Sequence, residues 1–120
     1  MPTTEPDAAA PSGRRLAHPS TEEIRLEGVL HALADPVRLT IVRELADGHA
    51  DMACIAFDLP VSKSTTTHHF KVLREAGVIR QHYEGTSRMS RLREDDLGTR
   101  FPGLLTAVLE AARRSVAPSV

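Results

Sequence analysis

Residues 59–77 read LPVSKSTTTHHFKVLREAG, and this stretch decides the fold. Both ends of a helix are marked in it: Ser62 is a cap candidate, and Gly77 stands where a left-handed stop is expected. Helical spacing predicts that one stripe, made of Ser62, Thr66, Phe70 and Leu73, faces inward. The opposite face carries hydroxyl, imidazole and ammonium groups, from Ser64, Thr67, His68 and Lys71.

The hydroxyl content of this stretch is poor for helix stability, because Ser and Thr side chains compete with the backbone for hydrogen bonds. Such residues suit a helix whose first turns enter a DNA major groove, where hydroxyls reach phosphates and base edges and cations hold the backbone. An ordinary surface helix with a Thr-rich first turn is the alternative that this stretch alone leaves open.

Length and composition limit the protein class. A chain of 120 residues, 41% hydrophobic but only 3% aromatic, forms one domain with a modest core that a dimer interface would help to stabilise. No apolar run is long enough for a membrane span, and the N-terminus lacks the order of a signal peptide, so a cytoplasmic protein is expected. The single Cys54 excludes an intrachain disulfide.

Charge is distributed unevenly along the chain. The net charge is −1, yet residues 62–93 contain seven Lys and Arg against two Glu, a local charge of +5. The remainder of the chain therefore carries −6. Positive charge is concentrated in the region predicted to meet phosphate.

The chain is predicted to begin with a disordered arm, residues 1–19, which contains four prolines and no apolar periodicity. The folded domain is predicted over residues 20–116 and a flexible tail over 117–120. Ser20 and Glu23 form a capping box that predicts a helix from about residue 21 to 34. Its apolar positions are Leu26, Val29, Leu30 and Leu33.

Two further helices are predicted before residues 59–77. Asp35 is the expected cap of the first, Pro36 fits its first position, and Gly48 closes it. The short apolar stretch 51–58 predicts a brief helix ahead of the turn at Pro60. With the following helix it would form a helix-turn-helix unit.

After Gly77 the pattern alternates, which predicts strands at 78–83 and 87–92 around a glycine-containing turn. Much of the exposed side of the second strand, which carries Arg91 and Arg93, is expected to be cationic. A basic hairpin after a DNA-reading helix is typical of a wing that lies along the backbone or minor groove. An exposed ribbon with solubilising charges is the alternative.

A helical turn is predicted at Asp95-Asp96, and a final helix at about 103–115. The apolar face of that helix is broader than one small domain needs, which indicates pairing with a second subunit, next to the first helix. The predicted dimerisation residues are Leu26, Leu30, Leu104, Leu105, Val108, Leu109 and Ala112. The fold class is mainly α with a small β-hairpin, a winged helix-turn-helix that dimerises through its terminal helices.

The chain resembles the ArsR-type winged-helix transcriptional repressors over about residues 24–112. The resemblance lies in LADPVRLTIVREL at 33–45, in SKSTTTHHFKVLREAGVI at 62–79 and in the wing around Glu84-Gly85. It implies a homodimer that occupies an inverted repeat in double-stranded DNA until an inducer releases it. The DNA-binding residues that it implies are Ser62, Lys63, Ser64, Thr65, Thr67, His68, Lys71, Arg88 and Arg91.

The inducer does not follow from the resemblance. Family metal sensors often carry a C-x-C pair before an Asp-Leu, and those two positions hold Ile55 and Phe57 here. Others use acid and histidine ligands on the last helix, which offers Glu110 and no histidine. His68 and its neighbour point about 100° apart on a helix and cannot easily share an ion. No metal site and no cofactor are therefore predicted, and a small molecule, oxidation or expression level is left as the signal.

Three interpretations of Cys54 stay open: a buried core thiol, a redox-sensing thiol, and half of an intersubunit site. Two other classes of function also compete with DNA binding. A winged helix that contacts an acidic protein partner has no need of the hydroxyl and cation pattern at 62–71. An enzyme is not predicted, because the chain has no nucleophile elbow, phosphate-binding glycine loop or paired-carboxylate motif.

Overall fold

Helices pack against a small antiparallel sheet in the computed structural model, which describes residues 16–48, 51–53 and 57–115. A 3-10 helix at Thr21–Glu23 precedes the regular elements. These are α1 (Leu26–Leu33), α2 (Pro36–Gly48), β1 (Met52–Ala53), α3 (Lys63–Glu75), β2 (Ile79–Glu84), β3 (Ser87–Leu92), α4 (Glu94–Arg100) and α5 (Leu104–Ser115). The predicted fold class, mainly α with a small hairpin, is confirmed.

Both predicted ends of α3 are confirmed. The Ser62 side chain accepts a hydrogen bond from the Thr65 N–H at 3.2 Å, which caps the first turn. At the other end the Gly77 N–H donates to the Arg74 carbonyl, and the Val78 N–H donates to the Leu73 carbonyl. Gly77 has φ +86°, so this is a Schellman stop in which a residue without Cβ takes the left-handed position.

The prediction of one continuous helix from about residue 21 to 34 is wrong. The Ser20 N–H does donate to the Glu23 carboxylate at 2.8 Å, but the turn that it caps is only three residues long. Ile24 then takes an extended conformation with its side chain 1% exposed, and its carbonyl accepts from Arg100 Nε at 3.2 Å. Burial of Ile24 and the hydrogen bond from Arg100 stabilise this extended residue where a continuous helix was predicted. Helix α1 therefore begins only at Leu26.

The junction between α1 and α2 follows the prediction. One carboxylate oxygen of Asp35 accepts from the N–H groups of Val37 at 2.9 Å and Arg38 at 3.1 Å. Pro36 occupies the first helical position, where a missing N–H has no cost. The inner face of α2 places Ile41 and two further apolar residues, Val42 and Leu45, in the core.

The sheet has the order β1-β3-β2, with both pairings antiparallel. In β2 and β3 Glu84 lies opposite Ser87, which leaves a two-residue turn with Gly85 at φ +64°. The helix predicted at 51–58 is wrong for the residues described there, since Met52–Ala53 is a strand on the edge of β3. The free backbone groups along β3 favour a strand at this position. Residues 54–56, including Cys54, lie outside the described residues.

Residues that precede the domain in the prediction contact the sheet. His18 Nε2 accepts from the Gln81 N–H at 2.9 Å, and the Pro19 carbonyl accepts from Arg93 at 2.8 Å. Residues 1–15 and 116–120 lie outside the described residues, so the predicted arm, tail and domain boundaries stay predictions. In the described ranges no helix has the length and apolar content that a membrane span requires.

The residues predicted for dimerisation divide into three groups by burial. Leu109 and Ala112 on α5 are buried within the chain itself. Leu26 and Leu30 on α1 are 42% and 45% exposed, the large apolar side chains most open to solvent in the described ranges. The half-buried α5 residues that pack at the edge of the core are Leu104, Leu105 and Val108.

Candidate nucleic-acid interface

The outer face of α3 has the composition that the sequence predicts. The Ser62 hydroxyl lies within hydrogen-bond distance of the Ser64 and Thr65 hydroxyls, and the Thr67 hydroxyl donates to the Lys63 carbonyl at 3.1 Å. These bonds fix the side chains in one arrangement on the helix surface. The solvent-exposed residues of this face are Ser62, Lys63, Ser64, Thr65, Thr67, His68 and Lys71.

His69 has a different role from its neighbour His68. Its side chain is buried, and Nδ1 lies 3.1 Å from a guanidinium nitrogen of the equally buried Arg38. Arg38 also donates to the Ala32 carbonyl at 2.7 Å. Because an arginine can only donate, His69 Nδ1 must accept, and its proton lies on Nε2, 3.9 Å from an Asp35 oxygen. This network anchors α3 to the junction of α1 and α2.

The environment shifts both titratable partners of this network. Burial lowers the pKa of His69, and the Arg38 charge lowers it further, against the opposing effect of Asp35. Burial raises the pKa of Asp35, but the N–H bond from Arg38 and the charge of His69 outweigh it and hold that pKa below its usual range. The network is therefore stable with a neutral His69.

We expect the free energy of unfolding to fall as pH decreases below about 6.5, the ordinary pKa of histidine. The unfolded chain gains a proton on His69 there that the native state resists, and native His18, whose pKa burial also lowers, contributes with the same sign. His69→Gln keeps an oxygen that can accept from Arg38 but cannot titrate, so it should reduce the slope measured by denaturant unfolding at pH 5.5–7.5. The exposed His31→Gln is the matched control, and an unchanged slope in His69→Gln would contradict the interpretation.

The wing presents fewer free cations than predicted. Arg88 lies over the Tyr83 ring, 5.1 Å from its centroid, and contacts the Tyr83 hydroxyl, which holds the guanidinium beside the hairpin turn. Arg91 Nε donates to Asp51 at 2.6 Å. The expectation that Arg93 belongs to the exposed cationic side is wrong: it is 4% exposed and bound to Asp96 at 2.8 Å.

Helix α3 and the wing border a common open cavity of about 820 Å³. Lys63 and Thr67 line it from α3, and Arg88 and Tyr83 line it from the hairpin. The two elements predicted to meet DNA thus lie side by side, with cations on both sides of the concave surface.

The positions at which metal sensors of the resembled family carry ligands have different contacts here. Phe57 is buried, with its ring centroid 5.3 Å from that of Phe70 in an edge-to-face arrangement. Glu110 is paired with Arg114 at 3.0 Å. Cys54 and Ile55 lie outside the described residues, and the absence of a cofactor stays a prediction.

Comparison with known proteins adds independent support. The profile of the bacterial regulatory proteins of the arsR family matches residues 35–81. The HTH-type transcriptional regulator YceK of Bacillus subtilis is 34% identical over 88 residues, which cover 72% of this chain and 87% of that protein. The transcriptional repressor SdpR of the same species is 33% identical over 60 residues, 50% of this chain and 67% of that protein.

A solved structure extends the similarity to the fold. The ArsR-like transcriptional regulator from Rhodococcus sp. RHA1 has a TM-score of 0.54 and 28% identity, covering 79% of this chain and 94% of that chain. The sequence matches and the shared winged-helix fold agree with the geometry of α3 and the wing. The chain therefore belongs to the ArsR family of bacterial regulatory proteins, which are DNA-binding helix-turn-helix transcription regulators and not enzymes.

Proposed function

We propose that this protein is a homodimeric repressor that binds an inverted-repeat operator through α3 and the wing of each subunit. The observation that carries the proposal is the exposed face of α3, with hydroxyls on its first turns and Lys63 and Lys71 beside them, in a segment of charge +5. A face of this kind has no packing role in the chain. It matches the donors and acceptors of a major groove and the phosphates at its edges.

The proposed contacts divide by chemistry. Hydroxyls and the His68 imidazole face base edges, whereas the two lysines neutralise phosphates. On the wing, the contact of Arg88 with the Tyr83 ring supports a role for Arg88 at the adjacent DNA backbone or minor groove. The DNA-contact residues of this proposal are Ser62, Lys63, Ser64, Thr65, Thr67, His68, Lys71, Arg88 and Arg91.

The exposed part of α1 supports the dimer. Leu26 and Leu30 lie one helical turn apart and form an apolar strip, and the half-buried residues of α5 supply further apolar surface. A two-fold interface built on this surface presents two copies of α3 in opposite orientation, which is why an inverted repeat is the expected operator. Leu109 and Ala112 would act from the core by holding α5 in place.

Repression and its signal are the remaining parts of the proposal. The relative SdpR is a transcriptional repressor, and a dimer seated on a promoter excludes polymerase from it. Phe57 occupies a position where family sensors of soft metals carry a thiolate, which favours a small-molecule inducer, oxidation of Cys54 or expression level as the signal.

In vitro transcription from the DNA upstream of the protein's own gene tests this proposal. We expect wild-type protein to lower transcript yield, and Leu26→Asp/Leu30→Asp to sediment as a monomer and to lose repression, because carboxylates oppose burial in an interface. Loss of the second DNA contact lowers affinity by about 100-fold or more. Thr99→Asp, an exposed site on α4, is the control that should repress normally.

Two results would contradict the proposal. Wild-type protein that raises transcript yield would be an activator. A Leu26→Asp/Leu30→Asp variant that remains dimeric would show that α1 is not part of the interface, and the dimer would then have to be assigned to another surface.

A further inference from the structure

Three potential metal ligands lie close together on one face of the three-stranded sheet. His82 and Glu84 lie two residues apart on β2 and project from the same face, and Asp51 approaches them from the residue before β1. One nitrogen or oxygen of each residue lies within 4.8 Å of those of the other two. We propose that Asp51, His82 and Glu84 bind a divalent transition-metal ion, with Zn²⁺ as the best match.

The spacing of the three groups fits one ion. His82 Nε2 is 2.9 Å from a Glu84 oxygen and 3.6 Å from Asp51 Oδ2. Two ligands that bind zinc at about 2.1 Å in tetrahedral geometry are about 3.4 Å apart. One imidazole nitrogen with two carboxylate oxygens is a donor set that zinc accepts and that leaves a fourth position for water.

Arg91 orients the carboxylate of Asp51 for this role. Its Nε donates to Oδ1 at 2.6 Å, so that Oδ2 is the oxygen directed toward His82. Metal-binding carboxylates are commonly held by such an outer hydrogen bond, which fixes the direction of the free oxygen. Arg91 can therefore stay bound to Oδ1 while Oδ2 binds the ion.

The cluster places two carboxylates beside a single imidazole nitrogen. Two carboxylates face the same Nε2 atom of His82, which has one proton at most and can donate it to only one of them. The second carboxylate is then a nearby like charge. A dication on the shared side of Asp51 and Glu84 attracts both carboxylates at once. The neutral imidazole binds it through the Nε2 lone pair when its single proton lies on Nδ1.

The three proposed ligands are separate from the DNA-reading face of α3, and the site goes beyond the proposed function. Arg91, which orients Asp51, is the one residue that also belongs to the proposed DNA contacts. The site also differs in its residues from the C-x-C position and the last helix that the sequence analysis considered. Its measurement needs no DNA, so that failure of the metal site and failure of operator binding are distinguishable.

Isothermal titration of the full chain with ZnCl₂ at pH 7.5 tests the site. We expect one ion per chain, with affinity reduced at least about tenfold by His82→Ala and by Glu84→Gln, each of which removes one ligand. His31→Ala, an exposed histidine on α1, and Cys54→Ser are the controls that should bind as wild type does. Circular dichroism on each variant establishes that the fold is retained.

Three outcomes overturn the proposal: no stoichiometric zinc binding by the wild type, binding that survives both His82→Ala and Glu84→Gln, or binding that Cys54→Ser abolishes. A second readout is thermal unfolding, where zinc should raise Tm of the wild type and of His31→Ala but not of His82→Ala. Equal shifts in all three proteins would assign the ion to another place.

Discussion

Replacement of Lys63, His68 and Lys71 by alanine together is expected to lower operator affinity by at least about 100-fold, since each phosphate or base contact contributes about 1–3 kcal/mol. All three side chains are exposed on one face of α3, so their loss should not change the fold or the dimer. Fluorescence anisotropy with a labelled duplex measures the affinity. Its salt dependence should also weaken, because fewer counterions are released.

The control for this variant removes the same number of permanent positive charges elsewhere. Arg25→Ala/Arg114→Ala lies outside α3 and the wing, and both arginines are exposed. We expect its affinity to stay within about threefold of wild type, because contacts and not net charge carry the effect. Equal losses in the two variants would show that the chain binds DNA by general electrostatic attraction.

Gly77→Ala is expected to lower the free energy of unfolding by about 2–4 kcal/mol, the sum of a left-handed backbone strain and an overpacked contact. Gly77 has φ +86°, and an added Cβ would lie 2.6 Å from Cγ1 and 2.9 Å from Cδ1 of Ile24. Ile24 is 1% exposed and has little room to move. Urea unfolding followed by circular dichroism measures the change.

Gly85→Ala separates the two contributions. Gly85 also has a positive φ, +64°, but an added Cβ meets no atom within 4 Å. It should therefore lose only the backbone component, about 1 kcal/mol. If Gly77→Ala were no more destabilising than Gly85→Ala, the close contact between the end of α3 and Ile24 would not exist in solution.

Local signals explain why α3 and the hairpin could be predicted from sequence. Ser62 and Gly77 act through hydrogen bonds to backbone within five residues, and the turn at Gly85 joins strands that pair with each other. Such features depend on neighbouring residues alone. The exposed face of α3 follows from the same periodicity once Phe70 and Leu73 define the buried side.

Long-range contacts explain the errors. Ile24 leaves the helix because its carbonyl and side chain have partners on α4 and beside Gly77, far along the sequence. Met52–Ala53 forms a strand only because β3 offers an edge. Neither set of partners can be identified from neighbouring residues alone. Within their own short segments, residues 20–34 and 51–58 both have patterns typical of helices.

Charged residues were the least predictable part of the candidate site. Nothing in the local sequence distinguishes Arg38 and Arg93 from Arg91. Arg38 and Arg93 are nevertheless buried, with carbonyl, imidazole or carboxylate partners, whereas Arg91 pairs with Asp51. An arginine is buried where other elements supply hydrogen-bond acceptors for its guanidinium group. The cluster at Asp51, His82 and Glu84 was missed for the same reason, since β1 and β2 meet it from opposite sides of β3.

Competition binding tests the central claim, sequence-selective DNA recognition by α3 and the wing, most directly. A labelled duplex from the region upstream of the protein's own gene is bound by wild-type protein at physiological salt and competed with unlabelled upstream or scrambled duplex. We predict that upstream duplex competes about 1,000-fold or more better than scrambled duplex, as specific regulators do. Equal competition by both duplexes would contradict operator recognition at this region.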